Sequence, residues 1–260
     1  MAIRAIWNRL SLRILGPILL VFVFVTSCSP EESLSVKLSD LEQVRFDVGY
    51  HFDSVTLSDG IQVPFVTRSP GVTVQSKLPL IVVLHGGGQT GQYQGESVLK
   101  SLFHPALKDI RAVFVAPTAT TGHWATPRSV EMVVALVEGI VDAGWPIDPN
   151  KIVVTGYSAG ATGIWYLTGS EASLFRAGIP VAGDPVSGSS GDLDLVPKYV
   201  IHSHQDEVFS FDDVQLDVES LIEEGVPIVF HPVEGISHNA FAAYVPAVQS
   251  AVPWLKQILE

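Results

Sequence analysis

The residue best suited to chemistry in this chain is Ser158, within the segment GYSAG at residues 156–160. A β-branched run at 151–155 precedes the segment, and the residues from 161 onward can form a helix. A strand, a glycine-flanked serine and a helix in this order predict a sharp turn that holds the serine Oγ clear of the backbone. The helix N-terminus would direct free N–H groups at the atoms that become negative during acyl transfer. We therefore interpret Ser158 as a nucleophile rather than as part of a simple turn.

A serine nucleophile needs a general base, and the base needs an acid that orients it. His238 follows the last predicted strand and directly precedes a helix, whereas most other histidines lie inside predicted strands or before Ser158. Asp206 follows the predicted strand 199–203, and Asp184, after the strand before that, is the alternative acid. The sequence thus predicts a triad of Ser158, Asp206 and His238.

A glycine-rich loop, residues 85–91, follows an apolar predicted strand. Consecutive glycines allow backbone N–H groups to approach a ligand closely, which suits an oxyanion hole. We expect Gly87 or Gly88 to supply one N–H donor and Ala159 the other, while His85 orders the loop without acting as the base. A flexible turn is the alternative, and a phosphate-binding loop is excluded because no Gly-Lys-Ser/Thr follows.

Strand and helix patterns alternate along the chain and predict a mostly parallel sheet with helices on both faces. Asp59-Gly60 is a favoured two-residue turn, so the flanking strands should add an antiparallel hairpin at one edge, with Pro64 on an edge strand. The predicted strands are 44–48, 53–58, 61–66, 78–84, 112–116, 151–155, 176–182, 199–203 and 227–233, and the predicted helices are 130–143, 214–224 and 240–259.

Four segments together resemble one family: LPLIVVLHGGGQTG, IDPNKIVVTGYSAGATGIWYL, IHSHQDEVF and GISHNAF. From Leu78 to the C-terminus the chain is similar to the compact esterase branch of the α/β-hydrolase superfamily, which includes polyhydroxybutyrate-depolymerase-like and feruloyl-esterase-like proteins and predicted peptidases. The resemblance implies the α/β-hydrolase fold and ester hydrolysis through an acyl-enzyme, a mechanism that needs no metal or organic cofactor. The chain departs from the family at Ser203, where glycine is frequent, and at Ala159 and Ala161, which leaves the substrate class open.

The substrate side of the site is less defined. The segment between Val181 and Lys198 is too short for a helical lid domain, so we expect an open cleft that admits large or polymeric esters. His123, Trp124 and Trp165 are candidates for an acyl or aromatic pocket, although tryptophans more often simply pack. Two other functions stay open: a serine peptidase of the prolyl-oligopeptidase-like type, and a lipid-tethered binding protein without turnover.

The N-terminus has the pattern of an export signal. A basic stretch, residues 1–13, precedes the apolar run 14–25, which would reach about 18 Å as a helix against roughly 30 Å of hydrocarbon. The run leads to Cys28, the only cysteine, in a context that resembles the lipobox of bacterial lipoproteins. This predicts a lipoprotein signal peptide at 1–28, a flexible tether at 29–43 and a catalytic domain at 44–260, anchored to a bacterial membrane through lipidated Cys28 and facing the periplasm or the cell surface. Ordinary cleaved secretion and an uncleaved anchor are the alternatives.

Composition limits the size of the core and the kinds of partner that the chain can have. With 260 residues and 47% hydrophobic content, the chain can bury one large core. Its 15 basic residues against 27 acidic ones argue against nucleic acid as a partner, because phosphates would be repelled.

Overall fold

The computed structural model describes residues 33–73, 75–186 and 195–260. Within this part of the chain, an eight-stranded sheet has the order β1-β2-β4-β3-β5-β6-β7-β8. The strands are β1 Gly49–Thr56, β2 Gln62–Ser69, β3 Leu78–Leu84, β4 Val113–Pro117, β5 Ile147–Tyr157, β6 Ala177–Val181, β7 Lys198–Ser203 and β8 Ile228–Val233. The carboxyl ends of β3, β5, β7 and β8 therefore meet at one edge of the sheet and can position a shared site.

The hairpin of β1 and β2 pairs antiparallel and adds to the sheet through an antiparallel contact with β4, whereas all other neighbours are parallel. The predicted mixed sheet and its N-terminal hairpin are confirmed. The edge position of Pro64 is wrong, because β2 lies between β1 and β4. Pairing with β4 starts at Phe65, and Pro64 contributes only its carbonyl on that side, as the acceptor of the Thr118 N–H. The missing N–H of proline is therefore tolerated there.

The predicted strand at 44–48 is also wrong, since β1 begins only at Gly49. The apolar alternation there has another cause. Val44 is buried, and the ring of Phe46 packs edge-on against Trp145 with 5.0 Å between centroids. The Phe46 carbonyl accepts from the hydroxyl of Ser69, so this loop is fixed by packing and by a side chain rather than by strand pairing.

Helices cover both faces of the sheet. The helices are α1 Leu38–Leu41, α2 Glu96–Val98, α3 His104–Leu107, α4 Pro127–Asp142, α5 Ala159–Ser170, α6 Phe211–Glu223, α7 Val245–Gln249 and α8 Val252–Leu259, with a π-turn at Leu99–Phe103 and 3-10 turns at Ala172–Leu174 and Phe241–Tyr244. The helical segment 96–107 and α7–α8 share one buried apolar cluster with the sheet, and α4 shares another. Among the described residues, no helix combines the length and the apolar character needed to cross a membrane.

The two ends of the domain differ from the sequence expectation. Residues 33–43 belong to the folded unit, so they are not a tether. Leu41 is fully buried and its carbonyl accepts from the indole of Trp145, which anchors α1 to the domain. The expected signal peptide and the remaining tether residues 29–32 lie outside the described residues. At the other end, the single predicted helix 240–259 is broken between α7 and α8, because Pro253 in the first turn of α8 lacks the N–H that a continuous helix requires.

Candidate active site

Ser158 lies between β5 and α5 with φ 55° and ψ −123°, a strained backbone conformation for a residue with a side chain. Two glycines allow it. A Cβ on Gly156 would lie 2.4 Å from the carbonyl oxygen of Gly160, and one on Gly160 would lie 2.3 Å from the carbonyl oxygen of Leu84. No side chain fits at such distances, so strand and helix approach closely and the serine projects from the turn between them.

The structure brings the three predicted triad residues together in one hydrogen-bonded line. The Oγ of Ser158 lies 2.8 Å from Nε2 of His238, and Nδ1 of His238 lies 2.8 Å from Oδ2 of Asp206. Asp206 belongs to the acid loop, residues 204–209 after β7, and His238 to the base loop, residues 234–240 after β8. Both side chains are buried, so water competes little for these bonds.

The lowered pKa of Asp206 determines which nitrogen of His238 carries the proton. Burial alone would raise the pKa of Asp206, but hydrogen bonds from His238 and from the backbone N–H groups of Phe209 and Val208 hold that pKa below its usual range. Asp206 is therefore a carboxylate, which only accepts hydrogen bonds. It follows that Nδ1 of His238 carries the proton and Nε2 is free to accept the hydrogen of Ser158.

Asp184, the alternative acid, has a different contact. Its Oδ1 accepts the hydroxyl of Thr162 on α5 at 2.7 Å. Across the described residues no hydrogen bond joins Asp184 to His238. The geometry therefore favours Asp206 as the partner of the base.

The glycine-rich loop lies against the start of α5. A Cβ on Gly87 would be 3.8 Å from that of Ala159, and one on Gly86 would be 3.4 Å from that of Ser158. Within residues 33–73, 75–186 and 195–260, the backbone N–H groups of Gly87, Gly88 and Ala159 donate no hydrogen bond to another residue. They are available to an external acceptor beside Ser158, as an oxyanion hole requires.

His85 anchors that loop. Its Nε2 accepts the backbone N–H of Ala119 at 3.1 Å, so Nδ1 carries the proton and donates to the carbonyl of Gly86 at 2.7 Å. Burial lowers the pKa of His85, which keeps the ring neutral in this arrangement. The backbone carbonyl of His85 accepts the indole N–H of Trp124 at 2.8 Å.

The three pocket candidates do not form one surface. Trp124 is buried beneath the glycine-rich loop. A Cβ on Gly163 would lie 2.2 Å from the Cβ of Trp124. Trp165 is buried under α6, and the ammonium of Lys198 lies 5.1 Å from its ring centroid. Both tryptophans are buried, whereas His123 is exposed, so their place in a substrate pocket stays a prediction.

Sequence reasoning missed three residues that surround the base. The carboxylate of Glu207 and the hydroxyl of Tyr157 bind the main chain of His238. His202 is fully buried with Nε2 3.8 Å from Oδ2 of Asp206, and burial lowers its pKa. Adjacency to the acid and to the serine was the only sequence signal for Glu207 and Tyr157.

Comparison with solved structures decides the fold. The chain superimposes on a thermostable esterase with a TM-score of 0.65 and 22% identity, covering 80% of this chain and 62% of that one. The fluorophosphonate-binding serine hydrolase F of Staphylococcus aureus gives a TM-score of 0.65 at 14% identity, over 80% and 98% of the two chains. The chain has the α/β-hydrolase fold. The structure of an arylesterase gives a TM-score of 0.63 at 16% identity, over 86% of this chain and 90% of that one.

Sequence relatives cover a smaller region. A probable feruloyl esterase C of Aspergillus terreus is 28% identical over 166 residues, which are 60% of this chain and 61% of the relative. The feruloyl esterase C of Emericella nidulans is 29% identical over 137 residues, 51% of this chain and 50% of the relative. The matches therefore span about half to three fifths of the length of these relatives. No protein-family model matches the chain.

Proposed function

We propose that this chain is a serine hydrolase that cleaves carboxylic esters through an acyl-enzyme. The observation that carries the proposal is the unbroken line from Ser158 through His238 to Asp206, with 2.8 Å at each step. A nucleophile, a base and an orienting acid at hydrogen-bond distance are the arrangement that acyl transfer requires.

The chemistry follows from the contacts. His238 takes the proton of Ser158 at Nε2 while Oγ attacks the acyl carbonyl carbon. The N–H groups of Ala159 and of Gly87 or Gly88 stabilise the resulting oxyanion, and Asp206 stabilises the imidazolium. His238 then gives its proton to the leaving alcohol, and a water molecule, deprotonated again by His238, releases the acid from the acyl-enzyme.

The relatives direct the choice of substrate. The sequence relatives described above are feruloyl esterases, and the structural neighbours include an arylesterase. We therefore place esters of aromatic or hydroxycinnamic acids first among the substrates of this chain, ahead of short aliphatic esters. Large or polymeric esters belong to the same proposal, because it assumes an open cleft.

The test is a panel of esters and amides with purified protein. We expect turnover of p-nitrophenyl acetate and methyl ferulate, none of matched peptide p-nitroanilides, and covalent labelling by a fluorophosphonate in wild type but not in Ser158→Ala. Cleavage of the anilides with inert esters would favour a peptidase. Absence of both turnover and labelling would indicate a binding protein and contradict the proposal.

The proposed location is a bacterial membrane, with the domain exported and attached through lipidated Cys28. Its support is the basic stretch 1–13, the apolar run 14–25 and the position of the only cysteine. In a bacterial host grown with labelled fatty acid, wild type should carry the label and Cys28→Ser should remain as an unlabelled precursor. Unlabelled wild type would contradict the lipid anchor and leave the catalytic proposal intact.

A further inference from the structure

The catalytic base, His238, lies in a segment without regular secondary structure. His238 lies in the base loop, between β8 and the 3-10 turn Phe241–Tyr244, and belongs to neither helix nor strand. Such a loop lacks the regular backbone hydrogen bonds that fix strands and helices. A misplacement of about 1 Å at a reacting group costs on the order of 10² in rate, so the position of this loop matters for catalysis.

Both main-chain polar groups of His238 are bound by side chains from other elements. Its N–H donates to Oε2 of Glu207 at 2.8 Å, and its carbonyl accepts the hydroxyl of Tyr157. The Tyr157 ring also stacks on the imidazole, with 5.4 Å between centroids and 29° between planes. These contacts bind both polar groups of the backbone, while Asp206 and Ser158 bind the ring.

The two side chains are suited to these roles. Burial, together with the carboxylates of Asp206 and Glu207, raises the pKa of Tyr157 to about 12, so the phenol keeps its proton and remains a donor. Glu207 follows Asp206 directly in the chain, which ties the acid and the backbone of the base to one short loop.

Other contacts join the base loop to the acid loop and to the end of β7 without touching His238. The amide of Gln205 donates to Glu234 at 3.1 Å and accepts from the backbone N–H of Gly235, and the N–H of Ile236 donates to the hydroxyl of Ser203 at 3.3 Å. These bonds bring the loops together, whereas Glu207 binds the main chain of the catalytic histidine and Asp206 binds its ring.

We infer that Glu207 and Tyr157 are positioning residues that fix the main chain of His238, so that its ring spans Asp206 and Ser158. The inference rests on the proposed ester hydrolysis. Neither residue is assigned to the reacting atoms, and both act through His238. The acceptor oxygen of Glu207, rather than its charge, is what the arrangement uses, since the partner is a neutral backbone N–H.

The first experiment compares Glu207→Ala with Glu207→Gln, which keeps an acceptor oxygen at the same reach. For Glu207→Ala we expect kcat on p-nitrophenyl acetate to fall about 10- to 100-fold with KM within about twofold, and for Glu207→Gln a loss within about threefold. The control is Glu219→Ala, an exposed glutamate on α6 that contacts Gln215 and neither loop, for which no change is expected. Wild-type kcat in Glu207→Ala, or equal losses in both variants, would overturn the role of the acceptor.

The second experiment does not depend on turnover. Amide hydrogen exchange of His238, followed by NMR, should accelerate at least tenfold in Glu207→Ala and stay near the wild-type rate in Glu207→Gln and Glu219→Ala. Unchanged exchange in Glu207→Ala would overturn the inference even if activity fell. If wild type neither turns over esters nor reacts with a fluorophosphonate, the proposed function fails, while this exchange pattern still tests the contact.

Tyr157→Phe provides an independent variant, because it removes the hydroxyl and keeps the stacked ring. The loss of one neutral hydrogen bond should lower kcat about 3- to 10-fold with KM unchanged. Melting temperatures and circular dichroism of all variants should match wild type within a few degrees. If the fall in kcat of Tyr157→Phe disappeared at temperatures where both proteins are fully folded, a positioning role for Tyr157 would be contradicted.

Discussion

The two halves of the candidate site are held by different forces. The nucleophile region, residues 84–88 and 156–163, is fixed by backbones in near contact, where Gly156 and Gly160 leave no room for a Cβ. The acid–base region, residues 203–209 and 233–240, is fixed by side-chain hydrogen bonds between two loops, such as Glu207 to the backbone of His238. Close packing at Gly156 and Gly160 leaves no room for a side chain, whereas hydrogen bonds can be replaced by isosteric acceptors. The two regions should therefore respond differently to mutation.

The largest effect is expected at the nucleophile itself. Ser158→Ala should lower kcat on p-nitrophenyl acetate about 10³- to 10⁶-fold, because the triad acts as a unit. The double variant Ser158→Ala/His238→Ala should be little worse than Ser158→Ala alone. Circular dichroism should show an intact fold, because alanine adds no atoms beyond those of serine. Near-normal ester hydrolysis by Ser158→Ala would contradict the whole site.

The next effect concerns the acid. Asp206→Asn should lower kcat about 10²- to 10⁴-fold, because an amide at this position can donate to Nδ1 and favour the wrong histidine tautomer. Asp184→Asn is the matched control, since Asp184 contacts only Thr162 among the described hydrogen-bonding partners, and its kcat should change less than about threefold. If Asp184→Asn were the more damaging variant, the acid would be misassigned.

A third prediction compares one glycine from each region. Gly160→Ala should lower the free energy of unfolding by about 3 kcal/mol or more, since the added Cβ would lie 2.3 Å from a backbone oxygen of Leu84. Gly235, in the base loop, has φ 77° and open space around it, so Gly235→Ala should cost only about 1 kcal/mol of backbone strain. Chemical denaturation measures both. Equal losses would remove the distinction between close packing and hydrogen bonding.

The same contrast explains what the sequence could predict. The nucleophile turn is encoded by five contiguous residues, and the triad by residue types that follow predicted strands. Ser158, Asp206 and His238 could therefore be predicted from the sequence. The contacts of Glu207 and Tyr157 with His238 join positions 31 and 81 residues apart, and no local pattern encodes them. Such pairings depend on how two loops meet in space.

Misjudged elements have related causes. Local pattern favoured a strand at 44–48 and a tether at 33–43, but long-range packing on Trp145 fixes both segments. Residue type alone did not show that Trp124 and Trp165 are buried. Patterns within one element predicted that element, but they did not show which other part of the chain packs against it.

The smallest predicted effect compares two neutral histidines, His85 in the nucleophile region and His202 directly before the acid–base region. Burial lowers the pKa of His85 and of His202 below 6.5, whereas the unfolded chain restores the ordinary value. Between these values the unfolded state binds more protons, so stability is full above about pH 6.5 and falls as pH decreases, by up to about 1.4 kcal/mol per pH unit for each group. The pKa of Asp206 is lowered from 3.8, so Asp206 stays ionised over pH 5–6.5 and adds no slope there.

Denaturation between pH 5 and 7 should therefore show a shallower pH dependence in His85→Gln and in His202→Gln than in wild type. The change should be larger for His85→Gln. Protonation of His85 would set a second donor against the Ala119 N–H, whereas protonated His202 gains attraction from the carboxylate of Asp206 3.8 Å away. His104, whose pKa burial also lowers, remains in all three proteins and cancels from the comparison. A larger change in His202→Gln would mean that the imidazolium of His202, beside the acid, is more strongly disfavoured than that of His85 in the nucleophile region.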